Sequence, residues 1–355
     1  MAKGSITIDD LLAVLWDARG SDLLVAAGSI PRIRVAGRLQ TVDGIGKLSP
    51  GVTESMVKSL LNDEQWAEFA IDDVDFSLTW RDVARIRGNA FRQRGSVSLA
   101  LRMMPCDVPG FDQLGLPPAV RALAQMEQGL VLVTGPTGSG KSTTLASLID
   151  WINRNRPVHI LTIEDPIEYE HLDQQALVSQ RAIGDDAPTF ATALRSALRE
   201  DPDVLLVGEL RDLESIGFAL TMAKTGHLVF ATLHANDTSQ TVDRLLDAFP
   251  VDQQPQVRAQ IASLLTAVVY QRLLPRIGGG QVAAFEVLIS NIAIRNLINE
   301  AKTNQVRSLL QSGIHDGMQT FEMSLNTLVS AGLVTHDDAV AHTEYPQDIV
   351  ADPGS

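Results

Sequence analysis

The ten residues GPTGSGKSTT, positions 135–144, stand between the apolar run GLVLV and the helix-forming stretch LASLIDWI. Strand, glycine-rich turn and helix in that order constrain the fold more than any other segment. Gly135, Gly138 and Gly140 allow a tight turn whose successive backbone N–H groups face one anion, and the helix that follows adds a favourable N-terminal field. Lys141 has the reach for β- and γ-phosphates, and the Ser142 hydroxyl suits Mg²⁺. Pro136, Thr137 and Ser139 complete the loop. Thr143 and Thr144 either contact phosphate or start the helix.

Three further apolar runs follow, VHILTIE, VLLVG and LVFATLH, interleaved with the helical stretches RDLESIGFALTMAK and TSQTVDRLLDAF. Strands apolar on both faces and alternating with helices predict a mainly parallel α/β sheet covered on both sides. The remaining chain, including RAQIASLLTAVVYQRLL, NIAIRNLINE and FEMSLNTLVSAG, reads as mainly helical.

Gripping phosphates is not hydrolysing them, which needs a positioned water and stabilised charge. Glu209, just beyond VLLVG, is the candidate for orienting or deprotonating that water; starting the next helix is its plainer role. Position 208 is glycine where many phosphate-loop ATPases carry a magnesium-shell aspartate, so Glu164, ending VHILTIE, is the candidate to act on Mg²⁺ through water. Asp165, before Pro166, fits either catalysis or the local turn. His227 and His234 flank the fourth run. His234 fits a γ-phosphate sensor and His227 a gate, a subunit link or a further nucleotide contact, against the plain reading of structural histidines.

Before this region the rhythm differs. ITIDDLLAVLWDARG reads as a short helix with Leu11, Leu12 and Leu15 inward, and VDFSLTW alternates Val74, Phe76, Leu78 and Trp80 with polar residues. ARIRGNAF and SVSLALRM continue the period of two, which predicts an antiparallel sheet with one face buried. The expected organisation is a small α+β domain over 1–104, a proline-rich linker over 105–118 and the α/β domain over 119–355. Arg81, Arg85, Arg87, Arg92, Arg94 and Arg102 crowd 81–102. Several are expected to share a sheet face, closing over a nucleotide, binding nucleic-acid backbone or lying solvated on an edge, and the overall negative field favours the first.

The net charge of −14 opposes broad attraction to nucleic acid, so no direct nucleic-acid binding is expected. A lone Cys106 excludes an intramolecular disulfide and a four-cysteine zinc clip. The N-terminal MAKGSITIDD lacks the apolar segment of a signal peptide, and no run reaches the ~20 apolar residues of a membrane span.

Over nearly its whole length the chain resembles the type IV pilus retraction ATPases of the type II/type IV secretion superfamily. GPTGSGKSTT matches the Walker A motif, LTIEDPIEYE the acidic box, REDPDVLLVGELRD an atypical Walker B region and GHLVFATLHANDT the histidine box. AIRNLINEAKTNQV and GMQTFEMSL resemble the retraction branch's C-terminal region. The resemblance implies a RecA-like P-loop ATPase domain preceded by a smaller PAS-like domain, and ATP and Mg²⁺ as ligands. It gives Lys141 and Ser142 to nucleotide and magnesium, Glu164 to the acidic box and Glu209 to catalysis. His227 and His234 fall to the histidine box, and charge-stabilising arginines to RIRGNAFRQR, with Arg85 and Arg94 preferred. It further implies a cytoplasmic homo-hexamer, peripheral at the inner membrane. Its partners would be an inner-membrane pilus platform protein and a paralogous pilus ATPase. Leu24 stands where the family often has histidine, and Lys224 where glutamate is common. An accessory retraction ATPase, a pilus-assembly or type II secretion ATPase, and a nonenzymatic nucleotide-gated ring scaffold are the alternatives.

Overall fold

The computed structural model describes residues 6–35, 37–105 and 107–350, which leaves Cys106 and the first five residues outside the described chain. The chain divides into two compact units, Met1–Asp107 and Val108–Ser355.

The first unit is built on six antiparallel strands: β1 (Asp22–Ala26), β2 (Arg32–Val35), β3 (Arg38–Thr41), β4 (Val74–Trp80), β5 (Ala84–Gln93) and β6 (Ser96–Pro105), in the order β3-β2-β1-β6-β5-β4. The helix Ile8–Asp17 starts at a capping box in which Thr7 and Asp10 satisfy each other's backbone N–H, and it buries Leu11, Leu12 and Leu15. On β4 the period of two holds, with Val74, Phe76 and Trp80 buried and Leu78 packed against the same core. The β5–β6 hairpin turns on Arg94 (φ 49°) and Gly95 (φ 73°), the paired positive φ values that match strand twist.

The second unit holds seven strands: β7 (Gly129–Thr134), β8 (His159–Glu164), β9 (Leu177–Ala182), β10 (Val204–Val207), β11 (Leu228–Leu233), β12 (Leu265–Pro275) and β13 (Gln281–Ile289), ordered β13-β12-β7-β11-β10-β8-β9. All neighbours are parallel except β12 and β13. Every residue of β7, β10 and β11 is buried, because helices cover both faces. Lys224 ends the helix Leu213–Lys224, exposed in a last turn where a cation complements the helix dipole and a glutamate would oppose it.

The reading of 258–274 as helix is corrected. The helix Gln254–Leu264 stops, and β12 takes over from Leu265, adding to the sheet beside β7. A continuous apolar run serves a buried strand as well as a buried helix, and only the partner strand decides. The stretch read as a linker carries a short helix, Phe111–Leu114, and packs with the second unit. The Phe111 ring stacks on Trp151 at 6.4 Å, and Leu116 is buried in the same core.

Candidate active site

Parallel pairing decides which candidates meet. Thr134 on β7 is in register with Leu233 on β11, and Val207 on β10 with Ile163 on β8. The carboxyl ends of these strands therefore form one edge, which carries the 135–142 loop, Glu164, Gly208, Glu209 and His234.

The loop is shaped from behind by β12. Gly135 (φ 145°) lies where a Cβ would sit 2.2 Å from the carbonyl oxygen of Gln271, and at Gly140 (φ 85°) a Cβ would sit 2.8 Å from Gln271 Nε2. Gly138 (φ 77°) completes the turn. Gln271 is itself buried: its Nε2 donates to the Ser139 carbonyl at 2.8 Å, and its Oε1 accepts from Thr144 Oγ1 at 2.7 Å. The Ser139 hydroxyl is buried without a hydrogen-bond partner. Pro136 and Thr137 are exposed at the loop tip. Lys141 Nζ donates to the carbonyls of Gly135 and Pro136, both at 3.0 Å. Burial holds its pKa below the usual lysine range, against the pull of the Glu209 and Glu168 carboxylates.

Of the two roles open to Thr144, contacting phosphate or starting the helix, its placement in the first turn of Lys141–Asn155 favours the second. Its side chain is fully buried and committed to Gln271, so it braces the helix rather than facing the cradle. Thr143 is half-buried, its hydroxyl 3.1 Å from that of Tyr169.

Beside the loop, Ser142, Glu164, Tyr169, His171, Gly208 and Thr232 line one small cavity. Glu164 accepts from Thr162 Oγ1 at 2.7 Å and from Gln180 Nε2 at 3.4 Å. Burial nevertheless pushes its carboxyl up to about 7, with the Glu168 charge adding to the rise. His171 is likewise buried, which lowers its pKa to about 4. A Cβ at Gly208 would lie 3.3 Å from both the Cα of Glu164 and the carbonyl of Ile163. Glycine at 208 thus lets β10 and β8 close up, and the carboxylate that reaches the cavity comes from β8 instead.

Glu209 is held from two sides. Its Oε2 accepts from Arg211 Nε at 2.9 Å, and its Oε1 lies 3.4 Å from His234 Nε2. The other ring nitrogen of His234 is 3.3 Å from the Gly135 carbonyl.

His227 is not part of this constellation, which corrects its placement among the nucleotide contacts of this chain's own loop. It precedes Leu228, which pairs with Gly129 at the start of β7, so it occupies the opposite edge of the sheet, roughly 20 Å away along the strands. There its Nδ1 sits 2.9 Å from both the Met222 carbonyl and the Thr225 hydroxyl.

In the first unit, Arg85 lies on the face of β5 opposite the core, donating to Ser77 Oγ at 3.1 Å and Thr79 Oγ1 at 3.2 Å. Arg94 is exposed at the hairpin turn. Three others of the cluster have local partners: Arg81 pairs with Asp9, Arg102 with Asp22, and Arg92 lies over the Phe69 ring at 4.8 Å. Arg92 is thus out of phase with Arg85 and Arg87, whose outward face Arg102 shares from its place opposite Arg87 on β6. Sequence reasoning missed Gln271, Tyr169, His171, Arg211 and Thr232. Tyr169 lies inside the acidic stretch and His171 next to its end, but Gln271 carries no motif signal.

Residues 78–339 match the family described as "Type II/IV secretion system protein". The chain belongs to that family. Within it, the chain is 44% identical over 342 residues to the "Type IV pilus retractation ATPase PilT" of Pseudomonas aeruginosa, covering 96% of this chain and 99% of that one. It is 47% identical over 311 residues to a "Twitching motility protein" of Neisseria gonorrhoeae, covering 87% and 83%. The solved structure titled "Crystal Structure of the Pilus Retraction Motor PilT and Bound ADP" superimposes with a TM-score of 0.89 at 45% identity, covering 97% of this chain and 99% of that one. The secretion-family fold is an N-terminal accessory domain followed by a RecA-like nucleotide-binding domain, and this chain has it.

Proposed function

We propose that this chain is the ATP-driven motor of type IV pilus retraction, working as a homo-hexameric ring at the cytoplasmic face of the inner membrane. The chain is an ATPase by kinship with PilT, and retraction is the activity that this kinship supports. The observation that carries the reading is the near-complete overlap with that retraction motor, across both units rather than the phosphate loop alone. No helix among the described residues is long and apolar enough to cross a membrane. Membrane attachment therefore falls to a partner, an inner-membrane pilus platform protein, with a paralogous pilus ATPase as a second.

The residues fit an Mg–nucleotide site: three glycines at positive φ, and Ser142 and Glu164 lining one cavity. Ser142 and Glu164 would hold magnesium, Glu164 through water, and the ion would neutralise phosphate charge. Glu209 orients or deprotonates the attacking water. His234 links Glu209 to Gly135 and reads the γ-phosphate. Lys141 leaves its two carbonyl acceptors for the phosphates, a stronger charge-assisted partner. Arg85 or Arg94, on an accessory domain of PAS-like type ending near residue 104, completes the site by stabilising charge in the transition state. Loss of the γ-phosphate then releases the closed arrangement and displaces the partner.

Filament dynamics test this. In a strain lacking the protein, pili are expected to extend and persist without shortening. Wild-type chain restores retraction, whereas the Glu209→Gln chain does not. A strain with no pili at all would instead identify an assembly ATPase.

A further inference from the structure

The phosphate loop is braced by a residue outside every nucleotide motif. We infer that Gln271, on β12, is a positioning residue that aims the loop's backbone donors at the nucleotide. The inference rests on the reading of the loop as a nucleotide cradle.

The chemistry fixes which way its amide points. The Ser139 carbonyl can only accept, so it must face the NH₂ end, which leaves Oε1 for the Thr144 hydroxyl. One side chain thus ties a peptide inside the loop to the first turn of the helix behind it. In a trans peptide the C=O and the next N–H point in opposite directions. Drawing the Ser139 carbonyl back onto β12 therefore turns the Gly140 N–H forward, into the concavity where a phosphate sits. Gln271 also sets the loop's glycine requirement, because its carbonyl and its amide occupy the places where a Cβ at Gly135 or Gly140 would go. The position is 3% exposed, so water does not replace a lost contact.

The test is titration of full-length protein with the fluorescent nucleotide methylanthraniloyl-ADP, beside steady-state ATP turnover. Gln271→Met keeps the shape of the side chain and removes both hydrogen bonds. Its Kd and KM are expected to rise about tenfold, the effect of one misdirected donor, with kcat falling less. Thr144→Val breaks the other end of the same chain and is expected to weaken binding in the same direction, with Thr144→Ser restoring it. The double variant should lose no more than Gln271→Met alone. A folded Gln271→Met protein with lowered thermal stability but a Kd within twofold of wild type would overturn the inference, since the side chain would then brace the fold only. Should Gln271→Met fail to fold, equal affinity of Thr144→Val and wild type overturns it, and weaker binding rescued by serine supports it. Wild-type protein that binds no nucleotide would instead sink the reading of the loop itself.

Discussion

His234 Nε2 lies 3.4 Å from Glu209 Oε1 while its Nδ1 lies 3.3 Å from the Gly135 carbonyl, so one imidazole spans the proposed water-positioning carboxylate and the first residue of the phosphate loop. The two groups come from β10 and β11, and they meet because parallel pairing carries both strand ends to one edge. If Glu209 works on water, Glu209→Gln keeps the shape and hydrogen-bonding reach of the side chain but removes the base. Phosphate release is expected to fall at least ~100-fold with nucleotide affinity within about twofold of wild type, as for a group acting only in the transition state. Unchanged turnover would remove Glu209 from the chemistry.

Glu164 carries a pH signature. Its folded pKa of about 7 lies above the ordinary 4.5, so the folded chain resists ionisation that the unfolded chain accepts. The cost is absent below about pH 4.5, where both states hold the proton, grows between 4.5 and 7, and is complete above 7. Nucleotide-free Glu164→Gln protein is therefore expected to be more stable than wild type at pH 8, by at most roughly 3 kcal/mol, with the difference vanishing by pH 4.5. Urea unfolding at both pH values reads it out. His171, held neutral by burial, destabilises in the opposite sense as pH falls below its ordinary 6.5, but it is common to both proteins and cancels in the comparison.

Gly208 should tolerate no side chain well. Its hypothetical Cβ meets the backbone of Glu164 and Ile163, which cannot swing aside. Gly208→Ala is expected to destabilise by about 1–2 kcal/mol, and Gly208→Asp by more, measured as a shift in urea midpoint. An aspartate there that raised turnover would reverse the assignment of the magnesium-shell role to Glu164.

Arg85 and Arg94 differ in how firmly they are held. Arg85 is fastened to Ser77 and Thr79, whereas Arg94 stands exposed at a turn. Substituting alanine at the arginine that completes the site is expected to cut turnover at least ~10-fold with ATP affinity kept. In rings mixed from this variant and Glu209→Gln, recovered turnover would place the arginine in a neighbouring subunit's site. Full activity of both single alanine variants would assign the pair to the surface.

Much of the site was legible because its signals are local. Gly135, Gly138, Gly140, Lys141 and Ser142 are consecutive or nearly so, and the strand-to-helix turn needs those residue types whatever surrounds it. Glu164 and Glu209 were legible for a related reason: each ends an apolar run, and parallel strands of one sheet send such ends to the same edge. The same rule separates the two histidines. His227 and His234 sit seven residues apart in one motif, yet they belong to opposite ends of β11. The period of two in the first unit located Phe76 and Trp80 in a core, but not Arg92, whose guanidinium stays with Phe69 on the core side of β5.

By itself the sequence determined the phosphate loop, the parallel sheet behind it and the antiparallel sheet before it, because glycine freedom and hydrophobic period act over a few residues. Tertiary structure alone decided that 265–275 is a strand, that Thr144 turns inward, and that Gln271 grips the loop across more than 120 residues of chain. A buried apolar run satisfies helix and strand alike, and a glutamine amide is indifferent to its partner. Only the tertiary neighbours, β7 with its fixed register and the Ser139 carbonyl in the loop, make the choice.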